Sequence, residues 1–544
     1  MGALAVTTPV QVSAQPDYVN DKLPWHSRVL DDEGKLLAWY RPERNLGYDR
    51  VLRLGWDFIE HKVPRDKVYG TGLETYLISS VFNQRTLQTG WFLHNPAMVY
   101  ATFVDSLRAW YPYSGDTEAI GTVAHMLDYM LAHGTTPRAW EWAGVPFASS
   151  CAAKRTYGRC LGGMPKDFFG GIETDKVGEL GIGYLEFYEL TGKRKYLKAA
   201  IRDADALARH VRPGDADHTP WPFRVDARTG DVLNDEEYGG AVVSSLRLFD
   251  ELIRLDEGDV GAYEGARDLA WTWMLEHPLN PQSPAYDKWA GYFEDVVKGT
   301  DNVNQQLPTY TALYLLNLPD PAAIDPAWAA HVRHLIDWVR SRFGRGPFFG
   351  AWGIDEQGTP TPSELDCCSP AGLGSDSSRW AAVNALFFER TGDAQAREDA
   401  LRSLNYATYF AGSDGKISCC GTPTIPDEYW FSDGYSDYLR HFNWVMGAIP
   451  EVAPVGQDHL LRSSSTVQEV TYTKRSVRYQ TFDADATEVL RVRFRPARLL
   501  VDGERLALTS QLDSDGYTVE QLPGGDYIVR IHHTRARHIE VAAR

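Results

Sequence analysis

Four carboxylic acids, Glu173, Asp175, Glu237 and Asp433, stand where long aromatic-rich segments give way to helical periodicity. An acid at a helix start has two uses: it can cap the helix and complement its dipole, or it can face a cleft and move protons. Two carboxyls can divide that second task, one protonating a leaving oxygen while the other attacks or activates water. Any single one of the four is explained by capping, but acids at several helix starts point to a shared site. Sulfur offers another chemistry. SELDCCSP (363–370) and ISCCGTP (417–423) hold two cysteine doublets, four of the chain's six cysteines. Neighbouring cysteines rarely bridge each other, because the small ring strains the peptide between them. Each doublet therefore addresses a partner thiol, a metal or a substrate.

The same long segments carry Trp91, His94, Trp142, Tyr238, Trp289, Asp301, Asn302, Trp352 and Trp430. Aromatic faces stack on the C–H faces of sugar rings, and carboxylates and amides accept from hydroxyls, so these residues are expected to bind a glycan. The plainer alternative is that aromatic loops pack over the end of a helical bundle.

The elements that must hold these side chains are helical as far as about residue 450. Apolar periodicity predicts twelve helices, at about 47–63, 97–112, 118–133, 177–192, 195–211, 238–256, 261–277, 303–317, 326–343, 375–391, 394–411 and 433–449. Short links such as TGKRK and RTGDAQ alternate with long ones rich in Trp, Tyr, Gly and acids. Six antiparallel hairpins follow, and a closed double ring, an (α/α)6 barrel, buries all their apolar faces. The long loops then gather at one end, over the N-termini of the inner helices, where function usually sits. Gly178, Gly181 and Gly183 are costly in a helix, and close packing by inner-ring neighbours would explain them. After about residue 466 the period changes to two, which predicts a small antiparallel β-sandwich over 466–544; residues 1–45 are expected to be extended and 46–450 to form the barrel.

Composition excludes several classes. The chain has 544 residues and a net charge of −18, without the basic runs that neutralise phosphates, so neither nucleic acid nor an anionic membrane is an expected partner. No apolar run is long enough to span a bilayer. The opening MGALAVTTPVQVSAQP lacks a basic leader, yet the even cysteine count and the CAAKRTYGRC spacing (Cys151, Cys160) permit bridges in an oxidising compartment. A periplasmic or secreted location is expected, with cytoplasmic as the alternative.

The arrangement over about 46–450, followed by a β region, resembles the six-hairpin glycosidase superfamily, which implies a glycoside or oligosaccharide substrate. Locally, SELDCC and SCC resemble the zinc-dependent β-L-arabinofuranosidases. That resemblance implies Cys419 as nucleophile and Cys420, Glu364 and Cys367 or Cys368 as zinc ligands, with thiolate exposed by the metal. The spacing departs from the family's, since Glu364 precedes Cys367 by three residues and Asp366 stands two before Cys368. Interloop disulfides and buried thiols stay open beside zinc. The expectation is a glycoside hydrolase needing no cofactor. A polysaccharide lyase or sugar epimerase, with Tyr238 or His94 as base, is one alternative, and a non-catalytic glycan-binding protein is another.

Overall fold

The computed structural model describes residues 23–83, 85–90, 96–151, 156–157, 170–234, 242–289, 305–355, 373–418 and 428–543. Among them are twelve α-helices: α1 Leu46–His61, α2 Pro96–Ser114, α3 Glu118–His133, α4 Thr174–Thr191, α5 Arg194–His210, α6 Val243–Leu255, α7 Val260–Glu276, α8 Gln306–Asn317, α9 Trp328–Phe343, α10 Gly374–Thr391, α11 Ala394–Thr408 and α12 Asp437–Ala448. Each even helix touches the next even helix, and α12 closes on α2, so these six make an inner ring. The odd helices lie outside, each of α3, α5, α7, α9 and α11 packed on the even helix before it.

Local chemistry sets the tight turns. Gly192 and Gly392 end α4 and α10 in the left-handed region, at φ 67° and 74°, where a side chain is strained. Asp259 and Asp393 then cap α7 and α11, their carboxylates accepting from the amides of Ala262 and Ala396. The long connections all arrive at the N-termini of even helices, which puts them at one end of the ring. Short sheets stand there. Gly171–Glu173 pairs with Arg224–Asp226 beside the start of α4, and Glu428–Trp430 pairs with Val81–Asn83 ahead of α12.

The glycines of α4 meet the expectation of close packing. A Cβ on Gly178 would lie 2.7 Å from the amide nitrogen of Ser245 on α6, one on Gly181 would lie 2.5 Å from Leu248 Cδ2, and one on Gly183 would lie 3.2 Å from Ala101 Cα on α2. Helix α4 is wedged between its ring neighbours, and the missing side chains allow that approach.

The C-terminal region is built of two antiparallel sheets. One has four strands, in the order His459–Ser463, Ala486–Val492, Tyr527–His533, Gly516–Gln521, and the other has five, in the order Val467–Tyr472, Ser476–Thr481, His538–Ala542, Arg498–Val501, Glu504–Arg505. Leu460, Leu490 and Val529 of the first meet Val477, Leu499 and Ile539 of the second in one apolar cluster. The region docks on the tight-turn end of the barrel: Thr466 donates to Glu189 of α4 at 2.6 Å, and Arg254 of α6 donates to Asp483 at 2.6 Å. No helix among the described residues is long and apolar enough to cross a membrane.

One buried acid sits apart from the ring's interior. Asp203 of α5 is fully buried, and neither carboxyl oxygen has a hydrogen-bond partner among the described residues. Burial, only partly offset by Arg202, pushes its pKa well above the usual carboxylate range. The folded state then keeps a proton that the unfolded chain releases near pH 4, so stability falls as pH rises from there through the folded-state value. Asp203→Asn is expected to remove that slope. Its thermal midpoint should match the wild type near pH 4 and exceed it at pH 8; parallel pH dependences for the two proteins would contradict the assignment.

Candidate functional site

The interior of the inner ring is charged. Fully buried Arg379 of α10 donates to Asp437 of α12, to Asp376 of its own first turn at 2.9 Å, and to Gln305 at 3.0 Å. Arg440, one turn after Asp437, donates to both Asp437 and Asp105 of α2. Asp105 also accepts from Arg247 of α6 at 3.2 Å, and Arg247 reaches Glu186 of α4 at 3.2 Å, where Arg108 of α2 donates at 2.6 Å. Tyr310 of α8 completes the circuit, its ring centre 5.2 Å from the Arg379 guanidinium carbon and 5.8 Å from that of Arg440. Every inner helix thus contributes to one belt across the bore. A buried charge is tolerated when paired and hydrogen-bonded, and here each ion has partners on neighbouring helices. Burial works against the ionised form of Asp437, but Arg379 and Arg440 outweigh it and hold its carboxyl below the ordinary range.

Glu179 lies at the edge of this belt. It sits on the same face of α4 as Asp175 and Glu186, with its side chain 16% exposed. Lys176 donates to Asp175 at 2.6 Å and stands 3.8 Å from Glu179 Oε2, an oxygen with no hydrogen-bond partner among the described residues. Burial raises the pKa of Glu179; Lys176 pulls it down and Asp175 pushes it up, leaving it at about 7. A carboxyl poised there can give or take a proton at neutral pH.

Ser378, His441 and Asp437 look like a nucleophile triad in composition only. Ser378 Oγ is 2.9 Å from His441 Nδ1, but His441 Nε2 is 3.8 Å from Asp437, and all three side chains are fully buried. Burial keeps the imidazole neutral by lowering its pKa well below the usual value. These groups brace α10 against α12 and have no surface to offer a substrate.

The residues expected from sequence are distributed unevenly. Asp175 is in the site, on the first turn of α4. Glu173 ends the strand before α4 and is fully buried, accepting from Arg224 of the adjacent strand at 2.8 Å, a framework ion pair. Asp433 lies in a π-helical turn, Ser432–Ser436, that precedes α12. Trp142 and Trp289 are buried: Trp142 stacks on His210 of outer helix α5 with ring centres 4.1 Å apart. A fully packed indole leaves no face for a sugar, so neither is placed as a binding surface. Trp352 is half-buried in the Gly344–Phe348/Ala351–Ile354 hairpin, where its amide donates to Ser403 of outer helix α11. Trp430 packs on Val81. Trp91, His94, Glu237, Tyr238, Asp301, Asn302, Glu364, Cys367, Cys368, Cys419 and Cys420 lie outside the described residues. Among the described residues no group of three or more His, Cys, Asp or Glu is placed to hold a metal ion.

Sequence reasoning missed Glu179, Arg379, Arg440 and Tyr310. Signals for them exist. Acids 175, 179, 186 and 189 fall within about 80° of one another on a helix of 3.6 residues per turn, and the pattern Ser-Asp-x-x-Arg recurs at 375–379 and 436–440.

No family profile and no curated protein matches the chain. Solved structures do. A cellobiose 2-epimerase from Spirochaeta thermophila superposes with a TM-score of 0.50 at 10% identity, covering 76% of this chain and 98% of its own. A D-mannose isomerase gives 0.50 at 12%, covering 74% and 96%. The fold is an (α/α)6 barrel. An α-mannanase of family GH76 from Bacteroides thetaiotaomicron gives 0.48 at 11%, covering 75% and 98%. At these identities the likeness to the epimerase and the isomerase establishes the arrangement of helices and nothing finer.

The belt has a measurable consequence. Arg379→Met leaves Asp437 and Asp376 buried with a partner lost, which typically costs about 3–5 kcal/mol. Adding Asp437→Asn to that variant should recover part of the loss, and Glu179→Gln alone should cost little. Chemical denaturation of the four proteins checks this, and an Arg379→Met variant as stable as wild type would contradict the belt's role.

Proposed function

We propose that the protein is a carbohydrate-active enzyme, most specifically a glycoside hydrolase, with Glu179 as its proton donor. The observation that carries this reading is Glu179, its side chain 16% exposed and its pKa raised by burial to about 7, which stands 3.8 Å from Lys176 on the wall of a bore whose other described carboxylates have closer ionic partners. Protonating a glycosidic oxygen at pH 7 needs such an acid. Tyr310, partly exposed and near enough to Glu179 to feel its charge, offers a ring for stacking against a sugar face. The second carboxyl is drawn from Asp175, one turn upstream, or from Glu237 and Asp433 of the mouth segments; Glu173 has a structural part in this reading.

The two solved structures of highest TM-score named above are an epimerase and an isomerase, so the assay must follow epimerisation as well as bond cleavage. On oligosaccharides the wild type turns over, Glu179→Gln is expected to lower kcat by about 10² or more. It should also abolish the limb of the pH–rate profile centred near 7. Asp175→Asn, Glu237→Gln and Asp433→Asn are assayed alongside, and at least one should fall comparably. A Glu179→Gln enzyme with normal kcat and an unchanged profile would overturn the reading. A strong chelator should leave activity intact; loss that added zinc restores would move the chemistry to the cysteine doublets.

A further inference from the structure

Lys176 is a buried cation set between two acids of its own helix. Its side chain is 2% exposed, its ammonium donates to Asp175 at 2.6 Å, and Glu179 Oε2 stands 3.8 Å from the same nitrogen. One ammonium cannot neutralise two carboxylates. The nearer acid takes it, so the trio reaches zero net charge only with a proton on Glu179.

The other charges around α4 do not tip this balance. Arg440 and Asp437 of α12 act on Glu179 with opposite signs, and burial keeps the phenol of Tyr310 on α8 neutral by raising its pKa. Helices α2 and α6, packed on either side of α4, bring Asp105, Arg108 and Arg247, which are tied to Glu186 and Arg440. Outer helix α5 brings Arg202 and the protonated Asp203. The strand ahead of α4 brings Glu173, paired with Arg224, and the Val467–Tyr472 strand, with Glu469, meets the far end of α4, where Gln468 donates to Glu189.

From this geometry we infer that Lys176 is the positioning residue of the proposed acid: held by Asp175 while Glu179 is protonated, it is shared with Glu179 once the proton has gone, and stabilises the carboxylate left behind. In the proposed reaction that proton passes to the glycosidic oxygen as its bond to the anomeric carbon breaks, the bonding pair staying on oxygen. The lysine keeps all its own protons and supplies only charge. The inference rests on the reading of Glu179 as proton donor, but the hold of Lys176 on that carboxyl can be tested without turnover.

The two partners of the lysine predict opposite effects on the Glu179 titration, read by carboxyl carbon-13 NMR. Lys176→Met removes the cation and should move the midpoint upward by about one pH unit or more. Asp175→Asn removes a repelling charge and releases the ammonium, and should move it downward. Lys176→Arg keeps the charge and should stay nearer the wild type than Lys176→Met. An unchanged midpoint in Lys176→Met, or an upward move in Asp175→Asn, overturns the inference; if Lys176→Met does not fold, Asp175→Asn decides it alone. On a substrate the wild type turns over, a proton donor loses activity as pH rises through its midpoint, so that limb should move to higher pH in Lys176→Met together with the NMR midpoint. A midpoint that moves while the limb stays supports the hold of Lys176 on Glu179 and counts against Glu179 as the proton donor of the preceding subsection.

Discussion

The contact on which the rest of the site depends is the buried pairing of Arg379 and Arg440 with Asp437. Placing two guanidiniums inside a helical ring is unfavourable unless carboxylates meet them, and the carboxylates come from α2, α10 and α12. The belt therefore couples helices far apart in sequence, Asp105 to Arg440 across most of the barrel domain. Such a pairing is weak evidence for high stability, because apolar side chains could fill the same space. Its stronger effect is on geometry and on proton affinity. Fixed charges at the centre of the bore also act on a carboxyl at the edge, after the burial and the local charges of its own helix.

Glu179 takes its behaviour from that position. It is close enough to the belt to feel Arg440 and Asp437, yet the groups acting on it most after burial are Lys176 and Asp175 from its own helix. Glu186 shows the contrast. Seven residues along the same face, it too has its pKa raised by burial, to about 8, but it is tied to Arg108 and Arg247. One acid is braced and the other is partly open. The difference follows from which neighbours offer hydrogen bonds and decides which of the two can meet a substrate.

Much of the fold was legible because it depends on patterns that chain chemistry enforces locally. Helical periodicity, the alternation of TGKRK-like turns with long loops, the packing glycines of α4 and the change to period two near residue 466 each have a local cause. The site was less legible. Charges inside a helical period look like a solvated face, so the burial of Arg379 and Arg440 was marked only by the recurring Ser-Asp-x-x-Arg pattern, and that of the acids by the stripe 175, 179, 186, 189. The π-helical turn before α12 moves the first regular turn from Asp433 to Asp437. Trp142 has the composition of a sugar platform and the environment of a core residue, because the long loops must also cover the outer helices, and sequence does not say which surface an indole will meet.

The proton affinity of Glu179 is the quantity on which the functional account turns, and it can be measured without a substrate. Carbon-13 NMR titration of protein labelled at the glutamate side-chain carboxyls, with the Glu179→Gln variant to assign the resonance, reports it directly. The account predicts a midpoint near 7. A midpoint near the ordinary glutamate value of about 4.3 would contradict it, because Glu179 would then be a plain carboxylate at neutral pH with no proton to give.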